Sequence, residues 1–121
     1  MNNELSKAGG GAIARYLDRA EVLQETVAQL TKDLALPADG IHSPGSGEAA
    51  FEELRAQVLP VLEELQRRGA SALQVAMYRV DIPEAHLRRT MTQGGLEALA
   101  GECVLRALQK VLTRHRFAGR F

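Results

Sequence analysis

Residues 12–34 read Ala12-Ile13-Ala14-Arg15-Tyr16-Leu17-Asp18-Arg19-Ala20-Glu21-Val22-Leu23-Gln24-Glu25-Thr26-Val27-Ala28-Gln29-Leu30-Thr31-Lys32-Asp33-Leu34. Within them Ile13, Tyr16, Ala20, Leu23, Val27, Leu30 and Leu34 alternate steps of three and four. That is the seam of an amphipathic helix, and it predicts one long helix here. The positions beside the seam are Leu17, Gln24 and Thr31 on one side and Arg19, Thr26 and Asp33 on the other. They lack the complementary Glu and Lys that steer a two-stranded zipper, so the seam is expected to pack within its own chain.

Working toward the C-terminus, residues 36–47 hold two Pro and three Gly and read as a loop. Ser46 or Gly47 then suits the cap of a second helix in which Phe51, Leu54, Val58, Val61 and Leu65 repeat the same spacing to about Arg68. Pro60 removes a backbone donor inside it, and a bend or break near Val58 is expected. Arg67, Arg68 and Gly69 close that helix, and Ser71-x-x-Gln74 and Asp81-x-x-Glu84 have the form of two capping boxes. They predict two short helices, the first burying Leu73, Ala76 and Met77 and the second Leu87 and Met91. Gly94-Gly95 interrupts, and a last helix from Leu96 to about Arg116 carries an apolar stripe wide enough for a central position.

The expected architecture is therefore all-α, a four- to five-helix bundle with three long helices of about 21 residues and a short helical elbow. Val75, Tyr78, Val80 and Ile82 leave a strand over 72–82 as the competing local reading. Residues 1–11, ending in Gly9-Gly10-Gly11, read as a tail, and 12–121 as a single domain.

Composition agrees with one domain, since 121 residues with 45% hydrophobic side chains bury roughly two-thirds of their unfolded surface without needing a disulfide or metal. The lone Cys103 has no internal partner, and Met1-Asn2-Asn3-Glu4 lacks the basic and apolar regions of a signal peptide. No apolar run approaches the roughly 18 residues of a membrane span. A cytoplasmic protein is the expectation, with no membrane contact.

Fifteen bases cancel fifteen acids overall, but not locally. Residues 1–64 carry eleven acids and five bases, and residues 65–121 carry four acids and ten bases. On the last helix Arg106, Lys110 and Arg114 follow Glu102 at four-residue intervals, which aligns them along one face. Such a row is most simply a solvated face that complements the helix dipole. The sharper reading is an anion or partner site built from Arg79, Arg88, Arg89, Arg106, Lys110 and Arg114.

Other constellations carry less. Asp81, Glu84 and His86 are metal-binding types, but Glu84 and His86 are two apart on a helix and point in opposed directions, while His42 and His115 offer no ligand spacing. No metal site is expected. Cys103 beside Leu99 and Val104 reads as a core thiol, Ser46 as a cap rather than a nucleophile, and Gly9-Gly10-Gly11 lacks the Lys-Ser or Lys-Thr of a phosphate loop. No acid–base pair or activated nucleophile emerges from spacing, so neither enzymatic activity nor a cofactor is expected. Ser71 to Met91 has the outline of a helix-turn-helix in which Arg88 and Arg89 would meet phosphates, opposed by Asp81 and Glu84 at the end that must approach a polyanion.

Tyr78-Arg79-Val80-Asp81-Ile82-Pro83-Glu84, with Leu108-Gln109-Lys110 and Arg114, resembles a group of small, uncharacterised helical bacterial proteins over the last third of the chain. The resemblance implies an all-helical fold and no activity, and it suggests that Tyr78, Arg79 and Asp81 face the basic row. The functional expectation is a non-catalytic bundle acting by protein–protein contact, as a homodimer or adaptor whose acidic half meets the basic half of another copy. The alternative is nucleic-acid binding through Arg88, Arg89, Arg106, Lys110, Arg114 and Arg116.

Overall fold

The computed structural model describes residues 10–45, 47 and 49–119. They form five helices and no strand: α1 Gly10–Leu17, α2 Ala20–Asp33, α3 Ala50–Arg68, α4 Ala70–Val80 and α5 Glu84–Phe117. The all-α expectation holds, and the strand reading of 72–82 does not, because Ala76, Met77 and Val80 face inward at helical spacing. None of these helices is long and apolar enough to cross a membrane.

The seam over 12–34 is not one helix. It breaks at Asp18 and Arg19, where Arg19 is extended with φ −84° and ψ 117°. The break turns α1 against α3 and puts Leu17 wholly inside the core, while Ala20, a predicted seam residue, is exposed. On α2 the buried face is Val22, Leu23, Thr26, Gln29, Leu30 and Asp33, so it carries polar groups the apolar periodicity gave no reason to bury. α1 also starts at Gly10, which moves Gly10 and Gly11 from the expected tail into a first helical turn; residues 1–9 of that tail lie outside the described residues.

The loop between α2 and α3 is tied down at its middle. Ile41 is buried, and the Gln57 side chain both accepts from the His42 backbone N–H at 2.7 Å and donates to the His42 carbonyl at 2.8 Å. α3 follows with Ala49, not Ser46 or Gly47, at its N-cap and no side-chain cap; Ser46 itself lies outside the described residues. α3 runs unbroken through Pro60. The carbonyl that loses its donor belongs to Ala56, an exposed residue.

Neither capping box forms. α4 starts at Ala70 after Gly69, and α5 starts at Glu84 after Pro83, each without a side-chain cap. Asp81 instead ends α4 in the left-handed conformation, φ 69°, and turns its carboxylate toward α5.

Gly94-Gly95 does interrupt as expected. Gly95 lies at φ 67° and ψ −158°, a region open essentially to glycine alone. His86 Nε2 and Glu102 Oε1 are 3.1 Å apart across it, whereas sixteen residues of straight helix would separate them by about 24 Å. α5 is thus a hairpin of two arms, 84–94 and 96–117. The second arm is central, burying Leu99, Cys103, Val104, Leu108 and Val111 among α2, α3 and α4.

Candidate functional site

The basic row of α5 ends up facing its own chain. α2 carries Glu21, Glu25, Gln29 and Asp33 at four-residue intervals, a row matching that of α5. Lys110 Nζ lies 2.7 Å from Asp33 Oδ2 and 3.3 Å from Asp81 Oδ2, and donates to the Arg79 carbonyl at 3.2 Å. Arg114 donates to Gln29 Oε1 at 2.6 Å, and His115 Nε2 meets Glu25 Oε2 at 2.9 Å. Gln29 in turn donates to Asp33 Oδ1 at 3.0 Å, while Arg79 donates through Nε to the Asp33 carbonyl at 2.9 Å.

Asp33 is thereby buried with both carboxylate oxygens and its carbonyl engaged, which is the condition for placing a charge in a core. Arg106 is held less well. Its guanidinium reaches Asp81 at 3.9 Å and Gln109 at 3.4 Å, and its buried Nε has no hydrogen-bond partner.

Of the six predicted binding residues, the structure brings Arg79, Arg106, Lys110 and Arg114 into this internal seam. Arg79 and Asp81 face the row as the resemblance suggests, but Tyr78 points to solvent. Arg88 and Arg89 stand apart on the first arm of α5, both exposed and without an ion pair among the described residues. They border a shallow hollow lined by Ala85, Arg88, Arg89, Thr92 and Gln93.

The exposed large hydrophobic side chains among the described residues are Phe117 at the end of α5 and two on the elbow. Val75 is 56% and Tyr78 83% exposed on one face of α4. Beside them a cleft of about 230 Å³ opens between α4 and the first arm of α5, lined by Gln74, Met77, Tyr78, Ile82, Pro83, Glu84 and Leu87. An aromatic ring in solvent next to an apolar cleft is unusual for a folded surface and marks a contact site better than a lone exposed side chain does.

Two further clusters complete the polar inventory. Glu21, Glu25 and His115 present ligand-type atoms within 4.8 Å of one another, a grouping missed by spacing because His115 lies 90 residues from Glu25 in sequence. The signal that existed was Glu21 and Glu25, one helical turn apart. Asp81, Glu84 and His86 do not converge as a set: Asp81 turns to Lys110 and His86 to Glu102. Cys103 is buried with its thiol 3.8 Å from the Met77 sulfur, and burial, aided by Glu102 and Asp33, pushes it up to about 12. No protein-family model, curated protein or solved structure matches this chain.

Proposed function

We propose that this chain is a non-catalytic helical protein that acts by protein–protein contact, with its contact face on the elbow formed by α4 and the first arm of α5. The observation that carries the reading is Tyr78, 83% exposed at the lip of an apolar cleft. Tyr supplies large contact area at low entropic cost and is enriched at interface centres. The seam between α2 and α5 bears on the same point, because Lys110 is paired within the chain with Asp33 and Asp81 and Arg114 is held by Gln29.

The partner is a second copy. Glu84 lines the cleft and Arg88, one helical turn further along the same arm, adds a positive charge beside it, so a two-fold axis can set each against the other in the second copy. The proposed setting is the cytoplasm, consistent with a single buried thiol. A Kd near 10 µM dimerises most of the chain at about 100 µM. Light scattering over that range therefore reads a dimer for the native protein and a monomer for Tyr78→Ala, with helicity unchanged. A native monomer at the top of the range, together with the same proteins recovered on native and Tyr78→Ala baits, defeats the proposal.

A second reading, nucleic-acid binding, rests on exposed Arg88 and Arg89 within the elbow. Three of the six bases it calls on, Arg106, Lys110 and Arg114, are engaged within the chain, which weakens its electrostatic basis. Retention of labelled duplex at about 50 mM salt, lost in an Arg88→Ala, Arg89→Ala double variant, would favour it over self-association.

A further inference from the structure

The four-spaced row of α2 runs past the basic row of α5. Asp33 meets Lys110 and Gln29 meets Arg114, but the last rung sets two carboxylates, Glu25 and Glu21, around an imidazole. His115 is only 1% exposed, held by the end of the central arm with Nε2 turned toward α2. Fixing a ring this completely removes most of the entropic cost of using it as a ligand.

We propose that Glu21, Glu25 and His115 form a binding site for a divalent transition-metal ion of the zinc class. Two ligands on a tetrahedral ion at about 2.1 Å are about 3.4 Å apart. His115 Nε2 and Glu25 Oε2, at 2.9 Å, need only part by a few tenths of an ångström to admit the ion between them. The third donor lies within 4.8 Å of both, on the exposed Glu21 side chain, which must move closer by up to about 1.4 Å to ligate.

Nε2 can offer its lone pair only when the ring proton sits on Nδ1: a doubly protonated ring releases the Nε2 proton to solvent, and a neutral Nε2–H ring shifts it to Nδ1. In either case two carboxylates and a neutral ring balance the dication. One nitrogen and two carboxylate oxygens suit Zn²⁺, Co²⁺ or Mn²⁺, whereas Ca²⁺ seeks six or more oxygens. Three protein ligands with Glu21 at the surface leave a fourth position for water. The ion would staple α2 to the end of α5.

The test is calorimetric titration of the chelator-treated 121-residue chain with Zn²⁺ alone, with circular dichroism confirming the fold of each variant. One ion per chain is expected, with affinity lowered roughly tenfold or more in Glu21→Gln, a surface change that leaves the core untouched. His86→Ala removes the other His–carboxylate pair, which offers only two donors, and should leave binding unchanged. Absence of one-to-one binding at about 100 µM Zn²⁺ overturns the proposal. So does binding that survives Glu21→Gln intact or disappears in His86→Ala.

Discussion

Replacing Lys110 by Met tests whether the basic row is an internal clamp or a solvated face. The change keeps the aliphatic stem and removes one charge, 2.7 Å from Asp33 and 3.3 Å from Asp81. At an effective dielectric of about 20, a unit pair at 2.7 Å is worth about 6 kcal/mol before desolvation, and desolvation offsets much of it. The two acids then respond differently. Asp81 is 56% exposed and regains water, while Asp33, 8% exposed, keeps Gln29 as its one remaining side-chain donor.

Leaving a buried carboxylate in that state costs about 3 kcal/mol, or roughly 10 °C in Tm for a chain of this size. Urea unfolding of the native protein, Lys110→Met, Asp33→Asn and the double variant measures it, and a large part of the single-variant losses should vanish in the double. Arg67→Ala supplies the surface comparison, since the Arg67–Glu64 pair at 3.2 Å is 73% and 46% exposed and should be worth about 0.5 kcal/mol. High salt should shrink that small effect and spare the large one. A Lys110→Met cost below about 1 kcal/mol, or additive losses in the double variant, would refute the clamp.

Two other outcomes follow from the fold. Gly95→Ala forces a side chain into a conformation essentially reserved for glycine, with nothing within 4 Å of the new Cβ, so the cost is backbone strain of about 1–3 kcal/mol, read by urea unfolding. A neutral effect would mean that the two arms of α5 are not turned there as described. Cys103, with its thiol raised by burial to about 12 from 9.0, should resist iodoacetamide at pH 8 except through unfolding, so alkylation tracks urea. Because the folded thiol holds its proton to higher pH than the unfolded one, its contribution is intact below about pH 9 and is lost at about 1.4 kcal/mol per pH unit as pH rises toward 12. Rapid native-state alkylation at pH 8 would contradict the burial.

The helical class and much of the core were legible in the residues themselves. Leu54 and Val58 on α3, Met77 on α4, and Leu99, Val104 and Val111 on α5 are all buried as their three-and-four spacing requires, because periodicity reports which side of a helix is apolar. The Gly95 interruption was readable for a similar reason, since glycine permits a backbone state other residues avoid. Capping signals failed at Ser71 and Asp81, where backbone geometry set by neighbouring helices outweighed a local hydrogen bond worth about 1 kcal/mol.

Partnership was decided only by the folded chain. The row Arg106, Lys110 and Arg114 and the row Glu21, Glu25, Gln29 and Asp33 are each visible in sequence, yet the contacts between them, Lys110 with Asp33 and Arg114 with Gln29, span 77 and 85 residues. The break at Asp18 and Arg19 likewise answers to the packing of α1 against both α2 and α3, which leaves Ile13 and Leu17 buried. A helix's period fixes the direction in which a side chain leaves its own axis. What waits there depends on how the helices cross, and that is settled by packing the whole core at once.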